Sequence, residues 1–177
     1  MPVSVTVATD PDLDQLAEVA AATFPLACPP SSPAEDIAAF IATNLSRRRF
    51  ADYLADPLRT VLAARDDDGR ILGYAILVRG VGEDPDVGRA VTIHPAVELS
   101  KIYVLPDRHG AGVSTMLMDA AVQCAAQTGA RCLWLGVNQE NTRAQRFYRK
   151  NGFDVAGTRT FQLGAHTEHD FVMVRPL

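Results

Sequence analysis

The residues of this 177-residue chain with types and spacings suited to chemistry fall between positions 98 and 148. The first group is a turn of small residues, His109-Gly110-Ala111-Gly112-Val113-Ser114-Thr115. Before it, Leu99 to Leu105 is β-branched and aromatic and reads as a strand, which Pro106 stops because it lacks an N–H. After it, Val113, Met116, Leu117, Ala120 and Cys124 recur at helical spacing, and Gly129 closes the helix. The first turn of a helix has N–H groups without intrahelical partners, and the macrodipole adds about half a positive charge there. Gly110 and Gly112 let an anion approach the backbone, Ser114 and Thr115 add hydroxyls, and a pyrophosphate is the natural guest. Taken alone, the turn is equally an ordinary tight junction that needs glycine. It is not a Walker loop, since no Gly-Lys-Ser/Thr closes it, and the third glycine of a dinucleotide fingerprint falls at Thr115.

The second group lies downstream. Ala144 and Tyr148 are four apart and share a helix face, so the small residue leaves room for a ligand to reach the phenol. The same spacing also suits a core tyrosine with a satisfied hydroxyl. Asn138 and Asn141 stand between a strand and that helix, where Asn141 doubles as an N-cap.

Together these stretches resemble the GNAT acetyltransferases. The strand, His-Gly-Ala-Gly-Val-Ser and the following helix resemble the family's motif A, usually written Q/R-x-x-G-x-G/A. Trp134 through Phe153 resembles its motif B. Glu98-Leu-x-x-Ile-Tyr-Val-Leu, Trp134-Leu-Gly-Val and the tail Phe161-Gln-Leu-Gly164 to Asp170 and Met173 are most similar to the PaiA-like branch, associated with polyamine N-acetylation. His109 and Ser114 depart from the motif A pattern, which bears on cofactor affinity rather than identity.

The resemblance implies acetyl-CoA as co-substrate and no metal. It assigns cofactor contacts to Ile102, Tyr103, Val104, the turn 109–115, Asn138, Asn141, Ala144 and Tyr148. Within that set a backbone N–H of the motif A strand, by alignment that of Val104, faces the thioester oxygen, and Tyr148 donates to the sulfur. A tyrosine ionises near 10 and a thiol near 8.5, so complete proton transfer is uphill by about 1.5 units, ~2 kcal/mol, and a strengthening hydrogen bond comes first. The acceptor is a primary amine of a small molecule, such as the polyamines spermidine or spermine, and it must lose a proton. Glu98 is a candidate base, directly or through water, placed by even spacing on one strand face with Ile102 and Val104; a solvent-facing strand end is the other account of it. Rival readings are a protein N-terminal or lysine acetyltransferase and a non-catalytic acyl-CoA sensor.

The elements that position these groups read as one domain over residues 1–177, a mixed α/β (α+β) fold of GNAT type: one largely antiparallel mixed sheet with helices on both faces. Val3 to Ala8 is an edge strand. A helix runs from Asp10-Pro11-Asp12 to about Ala22, a proline-rich loop spans Thr23 to Ser32, and Ser32-Pro33-Ala34-Glu35 is a capping box for a helix carrying Ile37, Phe40, Ile41 and Leu45. Arg48 to Ala55 adds a further helix. Thr60 to Arg65 and Ile71 to Val78 form a hairpin about Asp68-Gly69, Gly80 to Gly88 is a loop, and Arg131 to Val137 is a buried strand. Phe153 to Val155 and Phe171 to Val174 close the sheet, with His166 and His169 in a polar loop between them. A 47% hydrophobic and 21% charged composition suits a globular protein, and no apolar run approaches a membrane span. A net charge of −4 argues against nucleic-acid binding. Three cysteines without CxxC or zinc spacing imply free thiols and a cytoplasmic location, and homodimerisation stays open.

Overall fold

The alternating and helical apolar patterns resolve into seven strands and six helices among the described residues, 2–109 and 112–177 of a computed structural model. In chain order these are β1 (Ser4–Val7), α1 (Leu13–Ala27), α2 (Ala34–Asn44), α3 (Arg47–Ala55), β2 (Arg59–Arg65), β3 (Ile71–Arg79), α4 (Pro85–Ala90), β4 (Ala96–Val104), α5 (Val113–Gln127), β5 (Cys132–Asn138), α6 (Thr142–Lys150), β6 (Asp154–Leu163) and β7 (His166–Pro176). The strands form one sheet in the order β1-β2-β3-β4-β5-β7-β6. Neighbours are antiparallel except β4 and β5, which run parallel and pair only through Ala96↔Cys132, Val97↔Leu133 and Glu98↔Trp134.

That short junction creates the site. β4 carries a bulge: Leu77 pairs with Leu99 and Ile76 with Lys101, so Ser100 is an extra residue. A bulge bends its strand and reverses which residues face which side. β5 keeps its register with β7 as far as Asn138↔Asp170. The two parallel strands therefore part beyond Glu98 and Trp134, and a gap opens through the sheet.

Helices cover both faces. On one, Val113, Leu117, Met118, Ala121 and Ala125 of α5 pack onto Val97, Leu99 and Val104, with Phe147 and Tyr148 of α6 at the margin. This stripe is rotated from the expected one: Met116 is exposed, and Ala120 and Cys124 are only half-buried. A 100° step per residue lets either set form an apolar stripe, and the position of the sheet chooses. On the other face Leu16, Ala20 and Phe24 of α1 and Phe50 of α3 pack onto Ile76 and Tyr74.

Several local expectations are corrected. α1 continues through Pro25 to Ala27 instead of giving way to a loop at Thr23. Burial of Thr23 and Phe24 carries the helix on, and the Thr23 hydroxyl donates to the Val19 carbonyl at 2.7 Å. The capping box at Ser32 does not form. Pro33 itself takes the N-cap position, so Ser32 sits too early, and its hydroxyl has no partner among the described residues. The 80–88 loop contains the start of α4, opened by Asp84, whose side chain accepts from the Asp86 N–H. His166 and His169 lie on β7, because β6 and β7 extend into a long ribbon that turns at Gly164. Its outward positions are solvated, so a polar sequence there is still strand.

Asp12 ties the start of α1 to the sheet. Its carboxylate takes a bidentate pair from Arg65 at 2.7 and 2.6 Å and accepts the Thr9 N–H at 2.8 Å. The Arg65 hydrogen bonds hold its pKa below the ordinary aspartate range, against the opposing effect of burial. A depressed carboxylate contributes stability that is present above its unfolded pKa of about 3.9 and is lost as pH falls through the folded value. Asp12→Asn leaves Arg65 short of its counter-charge and is expected to cost about 2–3 kcal/mol, lowering Tm by roughly 5–10 °C at neutral pH. Thermal melts from pH 7 down to 2.5 check this: the gap between the proteins should narrow below about pH 4. A gap independent of pH would assign the loss to the cap alone.

Candidate active site

The gap between β4 and β5 is the mouth of a cleft of about 290 Å³ that reaches both faces of the sheet. Its walls follow from the strand hydrogen bonding. The Leu105 N–H donates to the Leu72 carbonyl, so Leu105 and, by alternation, Tyr103 and Lys101 bond across to β3. The N–H and C=O groups of Ile102 and Val104 therefore point away from β3, into the gap. From the far side, the Gln139 N–H bonds to the His169 carbonyl, so the alternate positions Gly136 and Asn138 present their backbone to the same gap. Two facing strand edges of this kind can pair with an extended, amide-bearing ligand as an intervening strand would.

The α5 side of the cleft is built for an anion. Gly112 caps α5 with φ of 79°, a left-handed conformation that a side chain would strain, and that conformation is why glycine stands there. Among the described residues the first bond of the helix runs from the Met116 N–H to the Gly112 carbonyl at 3.0 Å, and the N–H groups of Val113, Ser114 and Thr115 have no partner there. Ser114 lines the cleft; the Val113 side chain is buried in the core and Thr115 is exposed, so these two offer only backbone. Gly110 and Ala111 lie outside the described residues.

His109, where the family pattern has Gln or Arg, fastens this corner. Its Nδ1 lies 2.8 Å from Nη2 of Arg143, which can only donate, so Nε2 carries the proton and donates to the Val104 carbonyl at 3.0 Å. Arg143, at the start of α6, thereby stands beside the helix start and adds a positive charge to the mouth. Sequence reading missed it, because nothing in motif B marks position 143 apart from its charge.

Tyr148 projects into the cleft from α6, one turn after Ala144, which also lines it. Its ring packs edge-on against Phe147 and Phe153 at centroid distances of 5.7 and 5.9 Å. Burial pushes the phenol up to about 12. Phe147 shares the cleft wall. Asn141 caps α6 through its side chain, which accepts the Ala144 N–H at 3.1 Å, and it lines the cleft as well. Asn138 donates from Nδ2 to Glu168 at 3.2 Å.

The bulge at Ser100 decides the other face. Glu98 does not share a face with Ile102 and Val104, since the extra residue reverses the alternation. It lies with Lys101 and Tyr103 on the α1–α2 side and does not line the cleft. Burial raises its pKa, and Arg159, Lys101 and Arg59 oppose that rise. The Tyr103 side chain is likewise on this side, edge-on to Phe24 and Tyr74. The cleft wall here also holds Lys101, Arg159, Phe161, Glu168 and Asp170. Of these, only Asp170 and Phe161 carried any sequence signal, as parts of the tail. Arg159 donates from Nε to Asp170 at 3.3 Å, and burial raises the Asp170 pKa against that pairing. Among the described residues no group of three His, Cys, Asp or Glu side chains is arranged to hold a metal ion, and no helix is long and apolar enough to cross a membrane.

Residues 14–153 match the model of the Acetyltransferase (GNAT) family. An uncharacterized N-acetyltransferase of Mycobacterium tuberculosis is 56% identical over 166 residues, covering 94% of this chain and 98% of its own. The crystal structure of PaiA N-acetyltransferase from Thermoplasma acidophilum in complex with coenzyme A superposes with a TM-score of 0.78 at 21% identity, over 100% of both chains. The ribosomal-protein-S18-alanine N-acetyltransferase from Escherichia coli superposes with a TM-score of 0.69 at 18% identity, over 99% of this chain and 94% of its own.

Proposed function

The chain belongs to the GNAT family and is an acetyl-CoA-dependent N-acetyltransferase, and from that premise we propose that its acceptor is the primary amine of a small molecule. The observation that carries this reading is the cleft passing through the sheet between β4 and β5, with Ser114, Ala144 and Tyr148 at its α5–α6 side and Phe24, Lys101, Arg159 and Asp170 at its α1–α2 side. Its volume of about 290 Å³ is at the small end of ligand sites.

The donor's fit rests on three features. The first-turn N–H groups of Val113 to Thr115, without partners among the described residues, would hold the pyrophosphate together with Arg143. The backbone groups of Ile102 and Gly136 and the N–H groups of Val104 and Asn138 would pair with the amide-bearing arm, the carbonyls of Val104 and Asn138 being engaged by His109 and Gln145. When bound, acetyl-CoA supplies the activated acetyl group. The Val104 N–H then stands ready to donate to the carbonyl oxygen as it gains charge. Tyr148 holds its proton on Oη and offers it as a hydrogen bond to the departing sulfur. Glu168 and Asp170, which line the acceptor side, replace Glu98 as the carboxylates positioned to take the amine's proton. A role for Glu98 would require a water relay into the cleft.

A polyamine is the narrower form of the reading. Glu168 and Asp170 favour a polycation, whereas Lys101 and Arg159 in the same wall oppose one. The test is thiol release from acetyl-CoA with spermidine, an arylalkylamine, amino acids and an N-terminal peptide. A small amine should exceed the peptide in kcat/KM by at least about tenfold. Faster turnover of the peptide would replace this reading with protein acetylation.

A further inference from the structure

The acceptor side of the cleft contains two cations with more hydrogen-bond donors than the described residues use. Lys101 faces it because Ser100 is bulged out of β4. Among the described residues its ammonium makes one hydrogen bond, to the adjacent Ser100 carbonyl at 3.2 Å, and takes part in no ion pair. It lies 6.0 Å from the centre of the Phe40 ring, a contact that tolerates a cation without neutralising it. An ammonium has three donors, so two remain without a partner among the described residues.

Arg159 is the second cation. It reaches from β6 across β7 and lies 5.7 Å from the centre of the Trp134 ring. Gly136 makes room for it: a Cβ there would collide with the guanidinium, whereas the neighbouring β5 residues are mostly large and buried. Among the described residues the guanidinium uses only Nε, on Asp170, out of five donors. Of the carboxylates around the pair, Asp170 accepts from Arg159, Glu168 accepts from Asn138, and Glu98, the charge that most favours the Lys101 ammonium, lies outside the cleft lining. A polyamine would bring further donors and further positive charge to this wall. A carboxylate would bring the missing acceptors, with a plane that suits the guanidinium fork.

Building on the small-amine reading, we propose that the acceptor is an amino acid or related amino-carboxylate, its carboxylate held by Lys101 and Arg159 and its amine directed toward the gap between β4 and β5. Lys101 is then a specificity-determining residue. Burial already lowers its pKa, and an anionic ligand would hold it charged.

The experiment uses the full chain with saturating acetyl-CoA. Each standard amino acid is compared with its methyl ester, alongside spermidine and phenethylamine, by thiol release. At least one free acid should exceed its ester in kcat/KM by about tenfold to hundredfold, the range for a hydrogen bond to a charged group. Lys101→Met should abolish that ratio by raising KM for the acid, leave the ester within about twofold, and leave calorimetric acetyl-CoA affinity unchanged. Lys101→Arg should restore part of the preference. Equal turnover of acids and esters, a preference for spermidine, or equal losses for both substrates in Lys101→Met would each overturn the proposal while leaving the small-amine reading intact. The acid-to-ester ratio of the wild type stands even if the variant fails to fold. Turnover of no amine in the panel, with acetyl-CoA still bound, would strike the small-amine reading itself and this inference with it.

Discussion

Tyr148→Phe is expected to lower kcat by about 10²- to 10³-fold while KM for acetyl-CoA stays within about threefold. The ring remains, and with it the edge-on contacts to Phe147 and Phe153, so the fold and the cleft wall are kept. Only the hydroxyl is lost. Its hydrogen bond strengthens as charge builds on sulfur, so its absence raises the barrier without loosening the ground state. Burial pushes this phenol up to about 12, whereas a thiol ionises near 8.5. Complete transfer of the proton to sulfur is then uphill by about 3.5 units, roughly 5 kcal/mol, more than twice the gap for a solvent-exposed tyrosine. Tyr148 is thus proposed to act as a donor that stays protonated. The pH–rate profile should accordingly show no descending limb from Tyr148 below about pH 10. Steady-state kinetics of the two proteins from pH 6 to 10 measure both points. A kcat unchanged in Tyr148→Phe would return the residue to a packing role.

Ser114→Glu is expected to weaken acetyl-CoA binding by about two to three orders of magnitude with no loss of thermal stability. Position 114 is in the first turn of α5, where a carboxylate favours the helix through its macrodipole, so the substitution should leave Tm equal or slightly raised. The same carboxylate faces the cleft mouth where the pyrophosphate would sit. Two like charges at about 4 Å and an effective dielectric near 20 repel by about 4 kcal/mol, of which salt screens part. This position is a cleaner probe than Gly112, whose left-handed backbone would strain with any side chain. Isothermal titration of both proteins with acetyl-CoA, paired with thermal melts, gives the answer. Equal affinity in a folded variant would move the phosphate site away from the start of α5.

What the sequence determined on its own was local. The strand leading to His109, the helix leaving Gly112, the Asp-Gly hairpin and the Asn141 cap each depend on neighbouring residues, and each formed where it was read. Tyr148 was legible for the same reason: its four-residue spacing from Ala144 fixes a common helix face whatever lies opposite. Sequence could not decide what depends on partners far along the chain. One inserted residue, Ser100, set against Leu77 and Ile76 twenty-odd positions earlier, reversed the alternation of β4 and moved Glu98 off the face shared by Ile102 and Val104. α1 ran through Pro25 because burial of Phe24 outweighed one lost hydrogen bond. The acceptor wall joined Lys101 from β4 with Arg159 from β6 and Asp170 from β7, 58 and 69 positions downstream of Lys101. Periodicity reports which side of its own element a residue occupies; only the sheet order β4-β5-β7-β6 and the bulge decide which elements share that side.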